Sequence, residues 1–380
     1  MGKFDDNPAK IAALRGRLLD WYARNRRDLP WRQSADPYAI WVSEIMLQQT
    51  RVAVVVERYR SFMERFPTLV SLALAGEQEV LALWSGLGYY RRARMLHKAA
   101  QFVALNLGGN LPERAEELRL LPGIGAYTAA AIASITHGER VAVVDGNVER
   151  VLCRLAGWEA GSRKGGGAQL RRKIEDLAGR LLDPARPGDF NQAMMELGAT
   201  VCAPRSPQCL KCPLAADCKT RGEHGTPRRA PMMSRAVAYA LCVRTGQAGG
   251  DGPSVNKRGP DTRIFSTREV LLEQRPAQLT VMPGMWELPA LLDAAVPAEE
   301  LRMTLRHAIM QVNYYVRIRT VFEDDVEAMT AVGGERRWVP LLEAAGMALT
   351  GLTRKVLTRT RLLPSAPLDT IAPPTGENAV

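Results

Sequence analysis

The stretch Leu121-Pro122-Gly123-Ile124-Gly125-Ala126-Tyr127-Thr128-Ala129 sets two glycines two residues apart, between the end of one helix and the start of an alanine-rich one. Glycine supplies the backbone conformations that so tight a turn requires. The turn leaves backbone N–H groups exposed at the positive N-terminus of the following helix, an arrangement that holds a phosphate without reading base sequence. Gly123, Ile124 and Gly125 are therefore candidate phosphate contacts.

Working outward, residues 8–200 read as mostly helical. Apolar residues recur at three and four spacing, as in Ile11, Leu14, Leu18 and Trp21-Tyr22, then Ile40, Ile45 and Leu47. Asp36-Pro37, Phe66-Pro67, Leu111-Pro112 and Leu121-Pro122-Gly123 cut this region into short helices. The segment 161–168 is rich in glycine and reads as a flexible loop. After residue 235 the pattern changes. Segments 236–243, 264–265, 269–272 and 314–321 are strand-like, and 298–305 reads as a short helix. Segment 245–262 reads as a mobile loop. The expected organisation is an all-α domain over 1–218, a linker over 219–235, an α+β domain over 236–363 and a disordered tail over 364–380.

A length of 380 residues suits two domains, and 46% apolar with 24% charged residues excludes collagen, a coiled coil or a wholly disordered chain. No apolar run reaches the ~18 residues of a membrane crossing. Met1-Gly2-Lys3-Phe4-Asp5-Asp6 lacks the apolar stretch of a secretory signal, so a cytoplasmic location is expected. The charge is unevenly placed. Residues 1–240 carry 35 Lys and Arg against 24 Asp and Glu, whereas residues 241–380 carry 16 of each. A basic part joined to a neutral one points to a polyanion, with nucleic acid the default.

Six cysteines in a chain of this kind argue for metal or chemistry rather than disulfides. Cys153 and Cys242 lie in apolar runs and read as packed core thiols. Cys202, Cys209, Cys212 and Cys218 follow the spacing C-x6-C-x2-C-x5-C, so four thiolates on one short loop can converge on a metal ion or a cluster. Arg205, Lys211, Lys219 and Arg221 beside them make the loop a plausible phosphate grip.

Two acids stand out. Glu44 sits in the apolar helix Ala39-Ile40-Trp41-Val42-Ser43-Glu44-Ile45-Met46-Leu47, where burial would raise its pKa and keep it protonated as a general acid. Asp145 follows Val141-Ala142-Val143-Val144 and precedes Gly146-Asn147, a position that suits a helix N-cap as well as catalysis. Glu196 is a third acid in an apolar helix. Two carboxylates in contrasting environments are what cleavage of a glycosidic bond needs: one donates a proton, the other faces developing positive charge.

The hairpin resembles a helix–hairpin–helix motif, and further segments in order resemble the MutY family of adenine DNA glycosylases. They are Leu29-Pro30-Trp31-Arg32, the run from Pro37 to Val52, Trp84-Ser85-Gly86-Leu87-Gly88-Tyr89-Tyr90-Arg91-Arg92-Ala93-Arg94, Val144-Asp145-Gly146-Asn147-Val148, Glu196-Leu197-Gly198-Ala199 and the four cysteines. The resemblance covers residues 8–220 strongly and the remainder weakly. It implies a multi-domain chain: an all-α helix–hairpin–helix glycosylase domain with a [4Fe-4S] cluster on Cys202, Cys209, Cys212 and Cys218, and a C-terminal α+β Nudix-like domain. It also implies double-stranded DNA carrying adenine opposite 8-oxoguanine as substrate, a monomer, and association with the nucleoid when DNA is bound. Glu44 would protonate the departing adenine and Asp145 would stabilise the sugar cation, supported by Tyr127 and Asn147. Arg32 and Glu196 would line the adenine pocket, with Trp31 and Leu47 in the same substrate-binding set. Gln49 and Tyr89 would enter the duplex. Bifunctional relatives carry a Schiff-base lysine where this chain has Tyr127, so base removal without efficient strand cleavage is expected.

In the C-terminal part, Val270-Leu271-Leu272-Glu273-Gln274-Arg275-Pro276 and Pro283-Gly284-Met285-Trp286-Glu287-Leu288-Pro289 carry the Nudix-like resemblance. Ala290-Leu291-Leu292-Asp293-Ala294-Ala295 lacks the acids that a Nudix hydrolase uses for its metal, so this domain should bind rather than hydrolyse. Many family members place Phe-Ser-His after a His-Ala pair to contact 8-oxoguanine; after His307-Ala308 this chain has Ile309-Met310-Gln311. Rival readings are a pyrimidine glycosylase on the same scaffold and a non-catalytic, cluster-bearing DNA-binding module.

Overall fold

The computed structural model describes residues 7–158, 167–223, 231–246, 268–309, 311–326, 329 and 334–363. Met310, the segment 264–265, the tail 364–380 and most of the expected loops 161–168 and 245–262 lie outside them. Two compact units form: Met1–Leu74 with Met95–Arg229, and Ala75–Arg94 with Ala230–Val380.

The helices in chain order are α1 (Pro8–Asn25), α2 (Pro37–Leu47), α3 (Val52–Arg65), α4 (Leu69–Leu74), α5 (Glu77–Leu83), α6 (Arg91–Asn106), α7 (Ala115–Leu118), α8 (Ala126–His137), α9 (Gly146–Ala156), α10 (Gly167–Leu181) and α11 (Pro187–Thr200). Asp36-Pro37, which reads as a turn, is a helix start, and so is Asn7-Pro8. Asn7 and Asp36 accept backbone N–H groups of Ala9 and Tyr38 at 2.9 and 3.0 Å, and Pro8 and Pro37 take the first helical position, where no N–H is missed.

In the first unit, α2 is buried all round from Tyr38 to Met46 and packs against α3 and α8. Leu14, Leu18, Leu19 and Tyr22 of α1 close a second core with α9, α10 and α11, into which Cys153 is fully buried. The hairpin between α7 and α8 needs glycine at 123: φ is +77°, and a Cβ there would lie 2.6 Å from Met95 Cβ. Asn191 of α11 ties the extended segment before α9 into place. Its Oδ1 accepts from Val143 N at 3.0 Å, and its Nδ2 donates to Val141 O and to Ser134 Oγ, each at 2.9 Å.

The second unit is built from β1 (Met233–Leu241), β2 (Val243–Thr245), β3 (Arg268–Gln274), β4 (Trp286–Glu287), β5 (Ala290–Leu291), β6 (Leu301–Ile309), β7 (Val312–Thr320) and β8 (Arg336–Pro340), with helices α12 (Leu341–Gly346) and α13 (Gly351–Arg359). One sheet has the order β5-β1-β7-β6, with β1 and β7 parallel; in the other, β3 pairs with β2, β4 and β8. Leu305, Val316 and Ile318 pack with Val270, Leu272, Trp286 and Val356 in its core, and Cys242 is fully buried. The short helix expected over 298–305 is instead the start of strand β6. The exposed residues Arg302, Thr304, Arg306 and Ala308 alternate with more buried ones, a period of two that the local Ala-Glu-Glu-Leu composition obscured. Residues 75–94, helical like the first unit, group with these sheets: α5 packs on α12, and Arg354 Nε donates to Ser85 Oγ at 2.7 Å.

Candidate functional site

Glu44 faces inward from α2 and is 6% exposed. Tyr127, in the first turn of α8, donates its hydroxyl to Glu44 Oε2 at 2.7 Å and lies 3.3 Å from Met195 Sδ of α11. Burial pushes the Glu44 carboxyl up from 4.5 to about 7; the tyrosine hydrogen bond opposes that rise, the Asp145 charge adds to it and Arg32 opposes it weakly. Burial, then the charges of Glu44 and Asp145, drive the Tyr127 phenol well above its ordinary value. Glu44, Tyr127 and Asp145 therefore share one electrostatic neighbourhood, although they are separated by up to a hundred residues of chain.

Asp145 is the N-cap of α9. Its Oδ1 accepts from Asn147 N at 2.9 Å and Val148 N at 2.7 Å, and its Oδ2 accepts from Asn147 Nδ2 at 2.8 Å. Three donors fix the carboxylate at the positive end of the helix. Asn147 is held in turn by Arg150, whose Nη2 donates to Asn147 Oδ1 at 2.9 Å and to Gly198 O at 2.8 Å. Gly198 is obligatory here, since a Cβ would come within 2.7 Å of Asn147 Cβ.

Glu196 is 1% exposed and fully engaged. Arg27 grips it with Nε and Nη2 at 2.7 and 2.8 Å, and Arg32 Nη2 donates to it at 2.7 Å. The two guanidiniums overcome the burial that would raise its carboxyl and hold it near about 2. The structure thus joins Arg32 to Glu196. Trp31 is buried, with its ring edge-on against Tyr59 at 5.4 Å. Leu47 ends α2 half-buried, and Gln49 follows it exposed with φ +55°. In the second unit Tyr89 is 51% exposed with φ +48°, and the Arg92 guanidinium lies over its ring. Both expected duplex-entering residues thus occupy the left-handed region that side chains rarely adopt, which is where functional strain is stored.

No side chain caps the start of α8 at Gly125. His307 lies within β6, half-buried, with burial and Lys355 lowering its pKa; Ile309 ends that strand and Gln311 forms the turn to β7.

Cys202, Cys209, Cys212 and Cys218 line one cavity together with Arg154, Val201 and Pro207. Among the described residues no three His, Cys, Asp or Glu side chains stand close enough to hold a single ion. Burial first, and the neighbouring cysteines after it, push the Cys212 thiol up to about 11, so loading the loop must displace protons. The loop is strapped to α9: Arg154 Nη1 donates to Ala203 O at 2.8 Å and reaches Cys202 Sγ at 3.3 Å, while Arg150 Nε donates to Cys202 O at 2.9 Å. Met195, Arg27, Arg150 and Arg154 escaped the sequence reading. The spacing of Arg150 and Arg154, one helical turn apart on α9, was the available signal.

Residues 42–176 match the HhH-GPD superfamily of base excision DNA repair proteins. The chain is 51% identical to human adenine DNA glycosylase over 341 residues, covering 80% of this chain and 61% of that protein, so it spans about three fifths of that relative's length. It is 36% identical to mouse adenine DNA glycosylase, covering 92% of this chain and 78% of that one. Among solved structures, a thermostable thymine-DNA glycosylase matches with a TM-score of 0.50 at 30% identity, over 57% of this chain and 98% of that chain. No described helix is long and apolar enough to cross a membrane.

Proposed function

The chain belongs to the adenine DNA glycosylase family, and from that premise we propose that it excises adenine paired with 8-oxoguanine in duplex DNA, with Glu44 as acid and Asp145 as counter-charge. The observation that carries this reading is the buried Glu44 carboxyl, raised to about 7 and in hydrogen bond with Tyr127.

The adenine must first leave the stack, at a cost of a few kcal/mol. Gln49 and Tyr89 offset that cost by entering the duplex, and the glycine turn over Gly123, Ile124 and Gly125, at the N-terminus of α8, holds a phosphate. Arg32 and Glu196 then form one wall of the adenine pocket. Protonated Glu44 gives its proton to adenine N7 as the C1′–N9 bond breaks, and the bonding electrons leave with the base. The sugar is left as an oxocarbenium-like cation facing Asp145, which the N-terminus of α9 and Asn147 hold in one position. Water adds to C1′, and its proton returns to the Glu44 carboxylate. Adenine and an abasic sugar are the products. No amine stands at position 127, where a Schiff-base nucleophile would be needed, so strand cleavage is not part of the activity.

The four cysteines line one cavity beside α9, and their four thiols are the donor set a [4Fe-4S] cluster takes. Such a cluster, when bound, staples the basic loop carrying Arg205, Lys211, Lys219 and Arg221 to α9 as a phosphate grip. The second unit reads as a Nudix-like domain that recognises the opposite base through His307, Ile309 and Gln311 at the meeting of β6 and β7, with Met310 the remaining residue of that sequence set. Single-turnover release of adenine from a duplex with adenine opposite 8-oxoguanine tests the reading, with a thymine mispair as control. Product with the parent chain and none with Glu44→Gln, at unchanged duplex affinity, supports it. Turnover by Glu44→Gln at the parent's rate, or thymine as the released base, overturns it.

A further inference from the structure

The sheet β5-β1-β7-β6 turns one face outward in which aligned residues follow from the register. Tyr315 of β7 lies between Ala236 of β1 and Arg306 of β6; the next row joins Ala238, Arg317 and Thr304. Tyr315 is 51% exposed, and Ala236, Thr304, Arg306 and Arg317 are exposed around it. Strands β6 and β7 carry four arginines, Arg302, Arg306, Arg317 and Arg319, and no Asp or Glu. This segregation occurs within a stretch, residues 241–380, whose positive and negative residues number 16 each. Glu300 pairs with Arg319. Among the described residues no carboxylate pairs with Arg302, Arg306 or Arg317. Arg306 Nε donates to Asn313 Oδ1 at 3.3 Å and Arg317 Nη1 to Ala294 O at 2.9 Å, contacts that orient the guanidiniums without neutralising them.

A flat sheet face with small residues on one side of an exposed aromatic ring and unneutralised arginines on the other matches one class of partner. The arginines complement a phosphate backbone, and the ring offers a stacking surface that a base can use only when it is unpaired. We propose that this face binds single-stranded nucleic acid, with one base stacked on Tyr315 and phosphates held by Arg306 and Arg317. The surface is separate from the adenine chemistry and does not depend on it. A duplex offers phosphates but no free base face, so it gains nothing from Tyr315.

The test uses the full chain and a fluorescein-labelled 20-mer of deoxythymidine, with fluorescence anisotropy read at several salt concentrations. Tyr315→Ala weakens binding about fivefold or more, the lower end of what loss of one stacked base produces, and Tyr315→Phe restores it. Arg306→Gln with Arg317→Gln reduces the slope of log affinity against log salt by about 1.4, as expected for two lost phosphate contacts on a single strand. Affinity for a blunt duplex carrying the mispair stays unchanged in the Tyr315 variants. Should Tyr315→Ala fail to fold, Tyr315→Trp replaces it, and quenching of its emission by the oligonucleotide reports the stack. Unchanged single-strand affinity and salt slope overturn the proposal, as does an equal loss of duplex affinity, which would make the face part of the duplex footprint. A chain that releases no adenine yet loses single-strand affinity with Tyr315→Ala would overturn the proposed activity and leave this surface standing.

Discussion

Replacing Glu44 with Gln should stabilise the protein while abolishing its chemistry, and the gain should depend on pH. The carboxyl titrates at about 7 in the folded chain against an ordinary 4.5, because burial disfavours its charged form. Below pH 4.5 both folded and unfolded states are protonated and the acid is harmless. As pH rises from 4.5 toward 7 the unfolded chain ionises first. Folding must then take up a proton, at about 1.4 kcal/mol per pH unit. Above about 7 the folded state ionises as well, and the penalty levels off at roughly 3 kcal/mol. Glutamine has the same shape, accepts the Tyr127 hydroxyl through its amide oxygen and carries no such penalty. The stability gap between Glu44→Gln and parent should therefore widen by about 2 kcal/mol between pH 5.5 and pH 8, or about 4–8 °C in melting temperature for a domain of this size. Differential scanning fluorimetry of both proteins at the two pH values measures it. A gap of equal size at both values would refute the claim that burial holds this carboxyl protonated. Adenine release by the variant should fall by a factor of about 10² to 10⁴, the usual contribution of a general acid.

Three further outcomes follow from the same geometry. Tyr127→Phe removes the hydrogen bond that lowers the Glu44 carboxyl, so the pH at which adenine release declines on the alkaline side should move upward; an unmoved or lowered limb would contradict the pairing. Arg150→Gln frees Asn147 from its brace, and single-turnover release should slow by about tenfold, the lower range for loss of a supporting contact, while visible absorption of the loaded loop is retained. Gly198→Ala drives a methyl group into Asn147 and should destabilise the first unit by about 1–3 kcal/mol and impair release together, whereas Gly179→Ala, where a Cβ meets nothing within 4 Å, should do neither.

What was legible in the sequence was what depends on local pattern. Periodic apolar residues marked the helices of the first unit, and the glycine turn marked the hairpin. The four cysteines pointed to one centre, and the isolation of Glu44 in an apolar helix foretold its burial. The strand β6 was misread because the residues that lead into it, Ala298-Glu299-Glu300-Leu301, look helical in isolation, and only pairing with β7 makes the alternation of Arg302, Thr304 and Arg306 decisive. Residues 75–94 carry a helical pattern but no local sign that their partners are α12 and α13, more than two hundred residues away. Nor does sequence disclose that Trp31 turns its ring toward Tyr59, since an aromatic beside an arginine serves a pocket and a core equally well.

At Asp145 the sequence offered two readings as alternatives; the structure shows the helix cap, and the proposed catalytic role is compatible with it. A carboxylate that caps a helix has both oxygens fixed by donors, and that is also the condition for facing a developing cation without reorganising. The cap is itself braced from two sides. Asn191 sets the incoming strand, and Arg150 joins Asn147 to Gly198 and to the carbonyl of Cys202. Folding stability and orientation of the reacting carboxylate therefore depend on the same few hydrogen bonds. Damage to the cysteine loop should then be felt at Asp145 even where every residue that touches the substrate is intact.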